Sequence, residues 1–206
     1  CSRVNLTASS ADAVVVNVGF FAPFSSPDGS EAAYGGVSWQ LAAGAGLAAE
    51  MFNRRDGRVV AEFGELECGH RLLPFETISR YRESFEYLDA TVGPSRSVCA
   101  MPMAVNSALD EIPQVSYWAT SPDLDVKGTY PYFMRTIPSD SATALAASDF
   151  LAAQGWERVG ILYVNDGYGQ GYTEALVHYC GQRGIHGAAV AYESLDVASM
   201  DENGSA

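Results

Sequence analysis

Two apolar runs narrow this chain to a small set of folds. Residues 13–20 (AVVVNVGF) and 158–164 (RVGILYV) are nearly continuous and rich in β-branched side chains. A strand with water on one face alternates apolar and polar residues, so unbroken runs predict strands covered on both faces. A loop and a helical stretch follow each run, at residues 34–53 and 172–183. That alternation implies a parallel α/β sheet, because parallel neighbours can be joined only through a crossover.

The rest of the chain extends the pattern. Strands are predicted at residues 59–63, 90–93, 112–117 and 186–192, and residues 130–137 (YPYFMRTI) read as extended. Helices are predicted at residues 98–109 and from the N-cap candidate Ser139 to about Ala153. Gly155 and Gly184 are the expected stops, and Pro102 is placed in a first turn. In the first helix the small residues Ala42, Ala43, Ala45, Ala48 and Ala49 permit close approach to a sheet. Leu41, Leu47 and Met51 are expected to supply its apolar stripe. Residues 64–89 break the rhythm. There 72–78 reads as a strand and 80–88 as a short helix, which makes the crossover shortened or irregular.

Composition excludes several classes. Of the 206 residues 48% are apolar, enough for a core, and 25 acidic against 12 basic residues give a net charge of −13. A nucleic-acid surface needs a basic stripe, so nucleic acid is not an expected partner. No run of about 18 apolar residues is present to span a membrane. The cysteines (Cys1, Cys68, Cys99, Cys180) lack CxxC or Cys/His zinc spacing, so neither a metal nor a cofactor is expected. One or two disulfides are compatible with four cysteines, and Cys180 reads equally well as a buried thiol. Cys1 reads as a fragment boundary or as a lipidated first residue. The absence of an initiator Met and signal segment, together with the polar tail 196–206, makes a fragment the expectation. The sequons Asn5-Leu6-Thr7 and Asn203-Gly204-Ser205 agree with a secreted chain.

Catalytic signatures are missing. Gly167, Gly169 and Gly171 in NDGYGQG give GxGxG, not the dinucleotide GxGxxG, and no GxxxxGK[ST] occurs. Gly36-Val37-Ser38 is followed by Gln40 where a nucleophile elbow needs glycine. His70, His178 and His186 lie apart, and the pairs Asp110/Glu111 and Asp123/Asp125 sit in turns. The expectation is a protein that is not an enzyme.

Two hydroxyl-rich loops carry more. Residues 95–97 and 119–121 each follow a predicted strand, so on a parallel sheet they lie at the carboxyl edge where ligands bind. Ser97 opens a helix whose first amides favour an anion, although local capping would use the same hydroxyl. Thr120 offers an amide and a hydroxyl. Asp140 suits an ammonium, or serves only as a helix N-terminal charge. Tyr168 offers an aromatic lid. Together they suit a zwitterion.

The segments VGPSRS, IPQVSYWATSPDL, YPYFMRTIPSD and GWERVGILYVNDGYGQG, within residues 92–171, resemble the ligand-binding regions of class C G-protein-coupled receptors. Natriuretic-peptide-type receptors, ionotropic glutamate receptor amino-terminal domains and branched-chain amino-acid-binding proteins share this region. The resemblance covers about residues 13–192. It implies a bilobed clamshell of the type I periplasmic-binding-protein fold. Residues 13–135 would form lobe 1, 136–139 a hinge crossing and 140–195 a partial lobe 2, with loose ends at 1–12 and 196–206. It further implies amino-acid binding at Ser97, Trp118, Ala119, Thr120, Asp140 and Tyr168. Ser97 and Thr120 would take the carboxylate, Asp140 the ammonium, and Tyr168 would close over the ligand. Trp118 stands where a small hydroxyl residue is usual, and Arg96 where a small residue is common. The implied setting is the extracellular face of a membrane, reached through segments outside this chain, with lobe 1 pairing to a second copy. The alternative is a periplasmic solute-binding protein of an amino-acid transporter.

Overall fold

The computed structural model describes residues 14–22, 35–56, 59–67 and 74–192, with the backbone alone at 35, 36, 56 and 59–67. Two compact units divide the chain. One holds Cys1–Thr120 and Leu124–Pro138, the other Ser121–Asp123 and Ser139–Ala206.

The first unit is built on a five-stranded sheet of β1 (Val14–Ala22), β2 (Val59–Glu67), β3 (Ala90–Val92), β4 (Gln114–Ser116) and β5 (Phe133–Arg135). The order is β2-β1-β3-β4-β5 and every pair is parallel. Its helices are α1 (Gly35–Asp56), α2 (Pro74–Ser84) and α3 (Ser97–Leu109). The strand order reverses between β1 and β3, which makes the carboxyl edge there the switch point of the sheet.

The carboxyl end of β1 shows why its apolar run is unbroken. Phe20 and Ala22 pack against Ala42, Leu41 and Ala45 of α1. Phe21 faces the other way, against Tyr81 of α2, Met103 of α3 and Ile112. Both phenylalanines are buried, and each contributes roughly 1.5–3 kcal/mol of hydrophobic stabilisation.

Three expectations for this unit need correction. Residues 74–78, expected in a strand, are the start of helix α2, which takes in the expected helix as far as Ser84 and gives way to a 3-10 turn, Phe85–Tyr87. The β2–β3 crossover is therefore an ordinary helical one; residues 68–73 lie outside the described residues. In α1 the buried positions are Ser38, Ala42 and Ala49, whereas Leu47 and Met51 are exposed. Leu41, as expected, packs on the sheet beside Ala42 and Ala45, while Ala43 and Ala48 face outward with Leu47 and Met51. Pro102 is the sixth residue of α3, not part of its first turn, so the carbonyl one turn before it loses its helical N–H donor.

The second unit pairs β6 (Arg158–Val164) with β7 (His186–Tyr192) in parallel, with α4 (Asp140–Ala153) and α5 (Gly167–Gln182) beside them. Ala144 and Leu151 of α4, Leu176 and Cys180 of α5, and Ile185 form the core, bordered by Val159, Ile161 and Tyr172. Ser139 is the N-cap of α4, as expected. Gly155 and Gly184 take φ of 71° and 72° just beyond the helices. The run 158–164 is not covered on both faces: Leu162 is 72% exposed. Among the described residues two helices cover one face of the two-stranded sheet. The glycine stretch also differs from a loop, because α5 begins at Gly167 and only Asn165 and Asp166 precede it after β6.

Candidate ligand-binding site

In the first unit the loop after β3 is fixed before Ser97 is reached. Gly93 has φ of 98°, and a Cβ there would stand 2.3 Å from the Phe21 carbonyl oxygen. Only glycine lets this turn lie so close to the end of β1. Gly93-Pro94 is a cis peptide. The Gln114 amide, fully buried on β4, donates to the carbonyl oxygens of Gly93 at 3.1 Å and Ala100 at 3.4 Å. Ser107 donates to the Gln114 side-chain oxygen at 3.3 Å, completing a buried polar tie between strand, loop and α3.

The two hydroxyl-rich loops are joined by Ser116. Its hydroxyl donates to the Pro94 carbonyl at 2.8 Å and accepts from the amides of Ala119 at 2.9 Å and Trp118 at 3.3 Å. The loop that leads into Ser97 and the loop of Trp118, Ala119 and Thr120 thus share one buried hydroxyl. Sequence reasoning missed both Gln114 and Ser116. Their signal was present: two polar residues at alternate positions of a short strand, on the face that a parallel sheet buries.

The four predicted residues differ in what they offer. Ser97 is 3% exposed and is the first residue of α3. The α3 N-cap is Arg96, whose side chain makes no capping hydrogen bond. Cys99 and Ala100 donate to the Arg96 carbonyl, and Val98 belongs to the first-turn amides that no helix carbonyl accepts. Thr120 is half-buried and Trp118 is 55% exposed. Ala119 is fully buried, its amide bound to Ser116 and its carbonyl to Arg135 at 3.2 Å. Arg135 also pairs with Asp125, so one guanidinium holds the loop at both ends.

In the second unit Asp140 is the first residue of α4, 8% exposed, and its Oδ2 has no hydrogen-bond partner among the described residues. Burying an unpaired carboxylate oxygen is costly, and the positive end of α4 offsets part of that cost. Tyr168 is 44% exposed near the start of α5. Asp166 caps that helix, accepting from the amides of Tyr168 at 3.0 Å and Gly169 at 2.8 Å. A carboxylate already occupies this helix end, which disfavours a phosphate there. The glycines serve close packing. A Cβ at Gly169 would lie 2.1 Å from the Val164 carbonyl oxygen, and one at Gly171 would lie 2.8 Å from Ser121 Oγ. Tyr172, missed by sequence reasoning, is the aromatic whose phenol feels both predicted residues. Burial first, then Asp140, Tyr168 and Cys180, push it above the ordinary tyrosine value. Its signal was its place four residues after Tyr168 on one helix face.

No group of His, Cys, Asp and Glu able to hold a metal occurs among the described residues, and no described helix is long and apolar enough to cross a membrane. Cys99 and Cys180 are both buried; Cys1 and Cys68 lie outside the described residues.

Comparison with known proteins adds a family. The family described as the receptor family ligand binding region matches residues 50–204, more than half of the chain. Metabotropic glutamate receptor-like protein E of Dictyostelium discoideum is 32% identical over 98 residues, 48% of this chain and 12% of that protein. G-protein coupled receptor family C group 6 member A of Carassius auratus is 35% identical over 96 residues, 47% of the chain and 11% of the receptor. Metabotropic glutamate receptor 6 of Rattus norvegicus is 36% identical over 99 residues, 48% and 11% respectively. The chain therefore aligns with about an eighth of the length of these curated relatives.

Proposed function

Given that the chain belongs to the family of receptor ligand-binding regions, we propose that it senses an amino acid or similar small zwitterion on the extracellular side of a membrane. The observation that carries this reading is the buried Asp140 carboxylate oxygen left without a partner among the described residues. A fold tolerates such an atom where a ligand supplies the missing donor, and an ammonium is the donor that suits a carboxylate. The first turn of α3 at Ser97, with the Thr120 loop tied to the preceding loop through Ser116, is where the ligand carboxylate is proposed to sit. Relatives named for glutamate agree with an amino acid as the ligand class. Tyr168 supplies an exposed ring to cover the bound ligand. In a clamshell of this family, ligand binding would favour the closed form, a population shift that a receptor transmits.

Isothermal titration of the full chain against the proteinogenic amino acids tests the reading. One or more should bind, and Ser97→Ala and Asp140→Ala should each weaken binding about tenfold or more. Absence of any amino-acid binding, or variants that bind as the wild type does, would overturn it.

A further inference from the structure

We infer that Tyr172 is a second ligand-facing tyrosine, its phenol oxygen sharing with Asp140 Oδ2 the N–H donors of a primary ammonium group. This rests on the amino-acid reading and deepens it, since it names the residue that discriminates the substitution of the ligand nitrogen. Asp140 and Ala144 are one turn apart on the same face of α4. Ala144 lies in the core cluster that Tyr172 borders, which puts Tyr172 on the α4 side of α5. Tyr168 and Tyr172 are also one turn apart, so they share a face of α5. Asp140 is buried with Oδ2 unpartnered, and next to Tyr172 the Thr173 hydroxyl is 4% exposed and likewise unpartnered among the described residues. The start of α4 therefore holds a buried acceptor that a guest's N–H can satisfy. Burial and the neighbouring Asp140 keep the Tyr172 phenol protonated and neutral, so its oxygen can accept an N–H without repelling the carboxylate.

A primary ammonium has a donor for Asp140 and another for Tyr172. An N,N-dimethylated ammonium keeps one N–H, which the charged Asp140 takes, and presents methyl groups to the phenol. Titration of the full chain with its tightest-binding amino acid and with the N,N-dimethyl form of that amino acid tests this. Tyr172→Phe should weaken the primary amine about tenfold or more, the loss of a charge-assisted hydrogen bond, and leave the dimethyl form within about twofold. Asp140→Asn should weaken both. A Tyr172→Phe protein that binds both forms as the wild type does, or loses both equally, overturns the inference. Should no amino acid bind, the functional reading fails, and NMR titration with methylammonium chloride decides the inference alone. Binding that Tyr172→Phe abolishes supports it, and absence of binding or an unaffected variant overturns it.

Discussion

Ser116 is the residue on which the first unit's candidate loops depend. One fully buried hydroxyl bonds a carbonyl of the β3 loop and two amides of the β4 loop. Ser116→Ala leaves those groups buried and unpaired, at a cost of about 1–3 kcal/mol. Chemical denaturation should show that loss, and titration should show weaker amino-acid binding, while Ser116→Thr should recover much of both. Gly93 is the second residue of this kind. Gly93→Ala combines a positive φ with a Cβ 2.3 Å from a backbone oxygen, so a loss of about 3 kcal/mol is expected in the same denaturation experiment.

At the scale of elements, α2 and α3 are locked by more than apolar contact. The Tyr81 phenol donates to Asp110 at 2.8 Å, and Arg82 reaches Asp110 at 3.1 Å and Asn106 at 3.0 Å. Arg82 also lies over the rings of Tyr81 and Phe85. Burial above all, then the bond to Asp110 and its charge, raises the Tyr81 phenol well above its ordinary 10.0. A tyrosine with a raised folded-state value stabilises fully below the unfolded value and loses that contribution as pH rises above it. Stability should therefore fall above about pH 10, and Tyr81→Phe should flatten this fall in a pH series of thermal melts. The helix starts form a similar set. Asp166 closes α5 and Ser139 caps α4, while the Arg96 side chain makes no capping hydrogen bond at α3.

Across the whole molecule, burial is uneven within the units. The carboxyl end of β1 is buried on both faces, whereas β7 is largely exposed, with Val190 at 63%. Amide hydrogen exchange should follow: Phe20 and Phe21 protected longest, and residues 188–192 exchanging earlier. Reversed protection would mean that the second unit's sheet is covered in solution. Ligand linkage gives a further expectation. An amino acid at about 100 times its Kd should add roughly 2.7 kcal/mol of stability, and Asp140→Asn should remove that rise from the melting curve.

The sequence by itself determined the element types, since apolar periodicity records which faces must leave water. Parallel α/β order, the stops at Gly155 and Gly184 and the Ser139 cap were all legible from local chemistry. Residues 72–78 were not, because a short run of mixed polarity fits either a helix or a strand until a neighbour claims one face. Tertiary structure made 74–84 a helix through Tyr81, buried between α2 and the end of β1. It turned Ala42 and Ala49 of α1 inward and left Leu47 and Met51 outside. It also made Gln114 and Ser116 the ties between loops, and set the Tyr172 phenol where burial and the Asp140 charge hold it above its ordinary value. A buried hydroxyl or phenol takes its role from the partners that distant segments deliver, and no spacing along the chain records that.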